Sequence, residues 1–171
     1  IKKRLNIKWT AECRADYFGR IVDKQLLSLA RKSGLCYLTI GFESGSEKML
    51  KILKKDITIQ DSIRAAKMCS EQGIGISASF IMGIPYETKE DIKASAELAS
   101  SVKRVGLKVE LSVSQFVPKP HTPFQRVPMA RPDWYRSAVR TLRRISGVRV
   151  KAVHPGRAAI QGLISLGDVG S

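Results

Sequence analysis

Ile40-Gly41-Phe42-Glu43-Ser44-Gly45-Ser46, read with Ile81-Met82-Gly83-Ile84-Pro85-Tyr86-Glu87-Thr88, decides the fold class. Each stretch follows a run that reads as a buried strand, and each opens into a helical pattern. Each also sets a carboxylate and small residues where the strand ends. In parallel α/β folds that end is the ligand mouth, because backbone groups and loop side chains converge there while the rest of the strand is core. Two such mouths at matching points of successive units point to one pocket built by a repeated strand–helix unit.

Working outward, the first 117 residues repeat a helix–Gly–strand pattern. Ile21 to Lys32 carries apolar Leu26, Leu27 and Ala30 and stops at Gly34, ahead of a strand from Cys36 to Phe42. Thr58-Ile59-Gln60-Asp61 resembles a capping box, opening a helix that ends at Gly73, and Ile74 to Met82 is the next strand. Thr88-Lys89-Glu90-Asp91 is another such box. Its helix ends before Gly106, and Leu107 to Val117 reads as a further strand. Leu5 to Cys13, alternating at Leu5, Ile7 and Trp9, makes an earlier strand. Helix-linked strands imply a parallel sheet with right-handed crossovers. The expected order is sequential through 5–12, 36–42, 75–82 and 108–116, as in part of a (β/α) barrel. An open doubly wound sheet satisfies the same alternation.

After Val117 the character changes. Pro118, Pro120, Pro123, Pro128 and Pro132 exclude regular structure over fifteen residues. Asp133 to Ser146 then reads as a two-faced helix, with Arg136, Arg140, Arg143 and Arg144 on one side and Tyr135, Val139 and Leu142 on the other. Val148 to Val153 alternates like an edge strand, and Ala158 to Leu166 forms a short apolar helix. The expected division is a barrel part over 1–125 and a basic extension over 126–171.

The chain has 171 residues and a net charge of +15, unevenly spread. Residues 1–117 hold 20 Lys and Arg against 13 Asp and Glu, whereas residues 118–157 hold ten against the single acid Asp133. That bias suits a basic RNA- or DNA-binding module, since phosphate attraction needs little beyond clustered cations. Trp9 and Trp134 supply no aromatic interleaving for base stacking. No apolar run approaches the roughly 20 residues of a membrane helix, and no signal-peptide pattern opens the chain, so the expected compartment is the cytoplasm. Cys13, Cys36 and Cys69 are widely spaced in apolar patterns and read as buried free thiols. With no CxxC pair, a metal site made by this chain alone is not expected.

Glu12, Glu43, Ser79 and Glu87 fall at strand ends. Ionised carboxylates there suit a ligand rich in hydroxyl and amino groups, because they act purely as acceptors. Lys55 could reach a ligand carboxylate or simply face its helix dipole. Gly45 and Gly83 either let a ligand approach the backbone or serve turns. His121 and His154 have no catalytic partner at a recognisable spacing.

The two opening stretches, with Leu50 to Lys55, Gly73-Ile74 and Phe116-Val117-Pro118-Lys119-Pro120-His121-Thr122-Pro123-Phe124, resemble the second half of a radical SAM enzyme core. They are most similar to members with a cobalamin-binding-type domain and to the methylthiotransferases, over about residues 5–125. The resemblance implies a partial (β/α)6 barrel, with S-adenosylmethionine contacted by Glu12, Glu43, Ser44 and Lys55. Ser79, Ile81, Gly83 and Glu87 are similar to the family's GxIxGxxE motif, with Ser79 in place of its first Gly and one added residue before the Glu. It further implies a [4Fe–4S] cluster, 5′-deoxyadenosyl radical chemistry and, in some members, cobalamin. The family's CxxxCxxC loop is missing, and spacings of 23 and 33 residues between Cys13, Cys36 and Cys69 cannot replace it. The cluster ligands are thus expected upstream on the same polypeptide, with the chain a fragment that is inactive alone. The substrate class left open is tRNA or a small molecule.

Overall fold

The computed structural model describes residues 7–106 and 109–167. Five strands form one parallel sheet in the order β1-β2-β3-β4-β5: β1 Trp9–Arg14, β2 Leu35–Glu43, β3 Gly75–Met82, β4 Val109–Gln115 and β5 Arg149–Ala152. The helices are α1 Lys24–Lys32, α2 Glu47–Ile52, α3 Ile59–Glu71, α4 Lys89–Arg104, α5 Pro132–Arg143 and α6 Pro155–Leu166. A doubly wound sheet reverses strand order at a switch point; this one never reverses. The sequential order is that of a partial barrel. No described helix is long and apolar enough to cross a membrane.

The strands alternate in a way that separates the sheet's faces. Leu38, Ile40 and Phe42 of β2, Ile76, Ala78, Phe80 and Met82 of β3, and Leu111 and Val113 of β4 are buried. They join the core with Ala65, Ala66 and Cys69 of α3, Leu98, Ala99 and Val102 of α4, and Tyr135, Ala138 and Leu142 of α5. The intervening Thr39, Ser77, Ser79, Glu110, Ser112 and Ser114 share the other face, matched across strands as Thr39 with Ser77, Ser77 with Glu110 and Ser79 with Ser112. One face therefore buries hydrocarbon and the other presents hydroxyls and carboxylates.

Both capping boxes form. Thr58 accepts from the Asp61 N–H while Asp61 accepts from the Thr58 N–H, and Thr88 and Asp91 repeat the arrangement. Asp91 does more than cap. Its carboxylate also accepts from Ser46 Oγ at 2.6 Å and meets Lys48 Nζ at 2.6 Å, so the start of α4 holds the start of α2. Burial opposes the charge, but the bonds from Lys48, Ser46 and Thr88 outweigh it and hold the Asp91 carboxyl at about 2.

Three expectations change. The first strand begins at Trp9 and runs to Arg14, with expected positions 5 and 6 outside the described residues. Among the cysteines, all free, Cys69 is buried with its thiol pushed up to about 12 by desolvation, whereas Cys13 and Cys36 are half-buried. The basic extension over 126–171 was expected as a region apart from the barrel part, yet β5 pairs in parallel with β4 and α5 buries Tyr135, Val139 and Leu142 in the main core. The physical reason is the apolar side of α5, which packs against α4 and β5 and reaches β4 through the Tyr135 hydroxyl, a donor to the Val113 carbonyl at 2.9 Å. The segment supplies the sheet's fifth strand.

Replacing Asp91 with Ala should destabilise the chain by about 2 kcal/mol, through loss of a cap and of charged hydrogen bonds. Because the native carboxyl sits at about 2 against an ordinary 3.8, its stabilisation is complete above 3.8 and disappears as pH falls toward 2. Urea unfolding across this window should show a steeper acid loss for the wild type than for Asp91→Asn.

Candidate functional site

The polar face ends in a cleft of about 410 Å³ at the C-terminal ends of β1, β2 and β3. Glu12, Arg14, Thr39, Gly41, Glu43 and Ser79 line it, with Cys13 and Tyr17 at its edge. Strand pairing explains the convergence. Glu12 lies beside Thr39, and Gly41 beside Ser79, so successive strands deliver their polar residues to one place.

Glu43 occupies a special position. The β2–β3 register shifts between Gly41 and Glu43, and Glu43 has a φ of 62°, a left-handed conformation that costs a non-glycine residue energy. This kink turns its carboxylate back over Gly41, where an added Cβ would sit 2.8 Å from Glu43 Oε1. Lys55 Nζ meets the same oxygen at 3.0 Å. Arg14 braces the lysine's loop by donating to the Lys55 carbonyl at 2.9 Å, while its guanidinium also pairs with Asp16 at 2.9 Å. Glu12 is exposed and has no ion pair among the described residues.

The other sequence-derived residues lie elsewhere. Ser44 is buried, 3.4 Å from Ser95 Oγ, and accepts from the Ser46 N–H. Gly45 donates to Ser95 Oγ, and an added Cβ would collide with the backbone of Ala94 and Ser95. Its small size therefore serves the docking of this loop on α4. Ile81 packs beside Met49, Ile84 and Phe116. Gly83 and Glu87 line a separate pocket of about 510 Å³ with Met129, Arg131 and Trp134. There Glu87 accepts from the Gly83 N–H at 2.7 Å and from Trp134 Nε1 at 3.1 Å. Burial pushes the Glu87 carboxyl up against the pull of those two donors. Arg14, Thr39 and Tyr17 were missed from sequence. Arg14 was detectable as the residue two positions after Glu12, and Thr39 as the residue four positions before Glu43, on the alternating strands.

The arrangement combines the carboxylates of Glu12 and Glu43, the cations of Arg14 and Lys55 and the hydroxyls of Thr39 and Ser79 on one open wall. It can bind a ligand bearing both an ammonium or hydroxyl groups and a carboxylate. A family model described as the Radical SAM superfamily matches residues 2–99. An uncharacterised protein of Methanocaldococcus jannaschii is 42% identical over 52% of this chain and 20% of its own length. An uncharacterised methyltransferase of Pyrococcus horikoshii is 35% identical over 66% of this chain and 22% of its own. The anaerobic magnesium-protoporphyrin IX monomethyl ester cyclase of Rubrivivax gelatinosus is 32% identical over 58% and 18%. The chain thus spans about a fifth of the length of these relatives. Among solved structures, the archaeal Methanocaldococcus infernus Elp3 with an N-terminal deletion has a TM-score of 0.70 at 16% identity, over 85% of this chain and 35% of that one. The cobalamin-dependent S-adenosylmethionine radical enzyme OxsB, with aqua-cobalamin and S-adenosylmethionine bound, has a TM-score of 0.51 at 25% identity, over 57% and 14%.

Two substitutions separate the pockets. Glu87→Ala should cost about 2 kcal/mol by leaving the Gly83 and Trp134 donors unpaired, while Glu87→Gln, which keeps an acceptor oxygen, should cost less than about 1 kcal/mol. Denaturant titration at neutral pH checks both. Neither change should disturb the Glu43–Lys55 ion pair.

Proposed function

Because the chain belongs to the radical SAM superfamily, we propose that it forms the later strands of that enzyme core and that its cleft binds S-adenosylmethionine in the intact protein. The observation that carries this reading is the convergence of Glu12, Glu43 and Ser79, with Arg14 beside them and Lys55 paired to Glu43, at adjacent strand ends. The donor set fits the cofactor's chemistry. Glu12 and Glu43 offer acceptors to an ammonium and to ribose hydroxyls, Arg14 and Lys55 offer cations to a carboxylate, and Ser79 offers a hydroxyl.

The same test goes against a cluster on this chain. Among the described residues, no group of three or more His, Cys, Asp or Glu is placed to hold a metal ion. We therefore assign the [4Fe–4S] ligands to sequence upstream on the same polypeptide. When bound, S-adenosylmethionine and the cluster together supply a 5′-deoxyadenosyl radical able to abstract hydrogen. The work of this chain is binding and orientation. Glu43 is held by its backbone kink and by Lys55, so its carboxylate is positioned before any ligand arrives, which lowers the ordering cost of binding. Glu87, buried against Gly83 and Trp134, fixes the loop that follows β3.

The likeness to a cobalamin-dependent enzyme supports cobalamin as a further cofactor of the intact protein. The substrate class is left at tRNA or a small molecule, since one relative's name describes a tRNA methylthiotransferase and another's a magnesium-protoporphyrin IX monomethyl ester cyclase.

In the intact protein, Glu43→Ala should weaken S-adenosylmethionine binding by about 1–3 kcal/mol, the range for hydrogen bonds to charged groups. Gly41→Ala should do the same without touching a charge, because its methyl group displaces the carboxylate. Equilibrium dialysis measures both, and unchanged affinity in both variants would remove this assignment. The isolated chain, reconstituted anaerobically with iron and sulfide, should stay colourless; iron bound in stoichiometric amount and lost in Cys69→Ala would overturn the upstream assignment.

A further inference from the structure

A second charged concavity lies away from the cleft, between α5 and the turn joining β5 to α6. It measures about 380 Å³, and Arg136, Arg140, Arg143 and His154 line it over a floor that includes Tyr135 and Val139. The floor is fixed. Tyr135 is 1% exposed with its hydroxyl bound to the Val113 carbonyl, and Val139 is 5% exposed. The arginines above it are on the solvent side of the same helix.

Their charge is largely uncompensated. Arg136 pairs with Asp133 at 3.1 Å, but Arg140 and Arg143 have no ion pair among the described residues. The neighbouring basic residues Arg149 and Lys151 differ, since both are matched to Glu110. Like charges three and four residues apart repel and weaken a helix. A favourable interaction with the helix dipole is open to Arg140 and Arg143, which both lie in the last turn, but not to Arg136, because the effect fades within that turn. Three guanidinium groups lining one cavity are accounted for together by an anion that offsets their repulsion.

His154 adds a donor. Its Nδ1 accepts from the Gly156 N–H at 3.1 Å, which leaves the ring proton on Nε2. The first-turn amides of α6 are already engaged, Gly156 by that ring and Arg157 by the His154 carbonyl, so side chains and not free backbone N–H groups must hold the ligand. Planar guanidinium forks match phosphate oxygens two at a time, and arginine is the residue favoured for that recognition. The floor's aromatic ring is buried, so no base-stacking surface accompanies the cations. The recognition is of phosphate and not of base.

We propose that this cavity is a phosphate-binding site, held by Arg136, Arg140, Arg143 and His154, for a phosphate carried by a free nucleotide or by an RNA strand. It stands apart from the S-adenosylmethionine cleft and does not depend on that assignment. The test uses the intact protein, its R140Q/R143Q variant and its R140K/R143K variant, with AMP, inorganic phosphate and a 5′-phosphorylated RNA oligonucleotide as probes. If Arg136, Arg140 and Arg143 each neutralise one phosphate of a strand, wild-type affinity for the RNA should fall roughly 20-fold between about 50 and 200 mM salt. In R140Q/R143Q the affinity should drop at least about tenfold and the salt effect shrink to about threefold. R140K/R143K, which keeps the charge, should retain the salt effect, and circular dichroism verifies that each variant is folded. Binding of AMP and phosphate without RNA identifies a free nucleotide as the source, and binding of RNA without AMP identifies a strand; either supports the site. Equal binding of every probe by wild type and R140Q/R143Q, or no binding of any probe by wild type, would overturn it.

Discussion

The Asp91 carboxylate is the interaction on which the candidate site most depends. It closes the capping box of α4, accepts the Ser46 hydroxyl that in turn caps α2, and draws in Lys48. One buried anion thus ties the helix after β3 to the loop after β2. Ser44 and Gly45 complete the junction by bonding to Ser95 one turn further along α4. The chain leaving Glu43 is consequently anchored only a few residues beyond the kink that positions its carboxylate. A cleft residue in a costly backbone conformation persists when its surroundings over-determine it, and this junction is what does so.

The second constraint is the division of the sheet into two chemical faces. Parallel sheets usually bury both sides in hydrocarbon. Here the helices cover one side, and the other carries Thr39, Ser77, Ser79, Glu110 and Ser112 in neighbouring registers. A sheet of this kind is half of an enclosure, with its polar side available for a ligand or for the rest of a barrel. The cleft lies where that polar side meets the strand ends, and there carboxylates, cations and hydroxyls are close together, with Glu43 paired to Lys55, Arg14 to Asp16, and Glu12 without an ion pair among the described residues.

Much of this was legible in the sequence because it rests on local rules. Both Thr-x-x-Asp boxes start helices since four consecutive residues suffice to close the two hydrogen bonds. Gly34, Gly73 and Gly106 each adopt positive φ after a helix, as their type and spacing imply. Glu12, Glu43 and Ser79 read as strand-end residues, and the sheet places them in one cleft. Ser44 and Gly45, adjacent in the same motif, turned out to serve packing, because one residue along a strand end changes the face on which a side chain emerges. That distinction could not be made from the motif.

What the sequence determined by itself is the alternation of elements and their caps, both of which follow from periodicity and from contacts a few residues long. Tertiary structure decided which side chains meet. The partnership of Glu43 with Lys55, the bracing of Lys55 by Arg14 and the incorporation of β5 into the sheet each join residues far apart in the chain. The separation of Gly83 and Glu87 from the cleft has the same origin. Such pairings depend on register, backbone kinks and the shape of the buried face, quantities that arise only when the strands lie side by side.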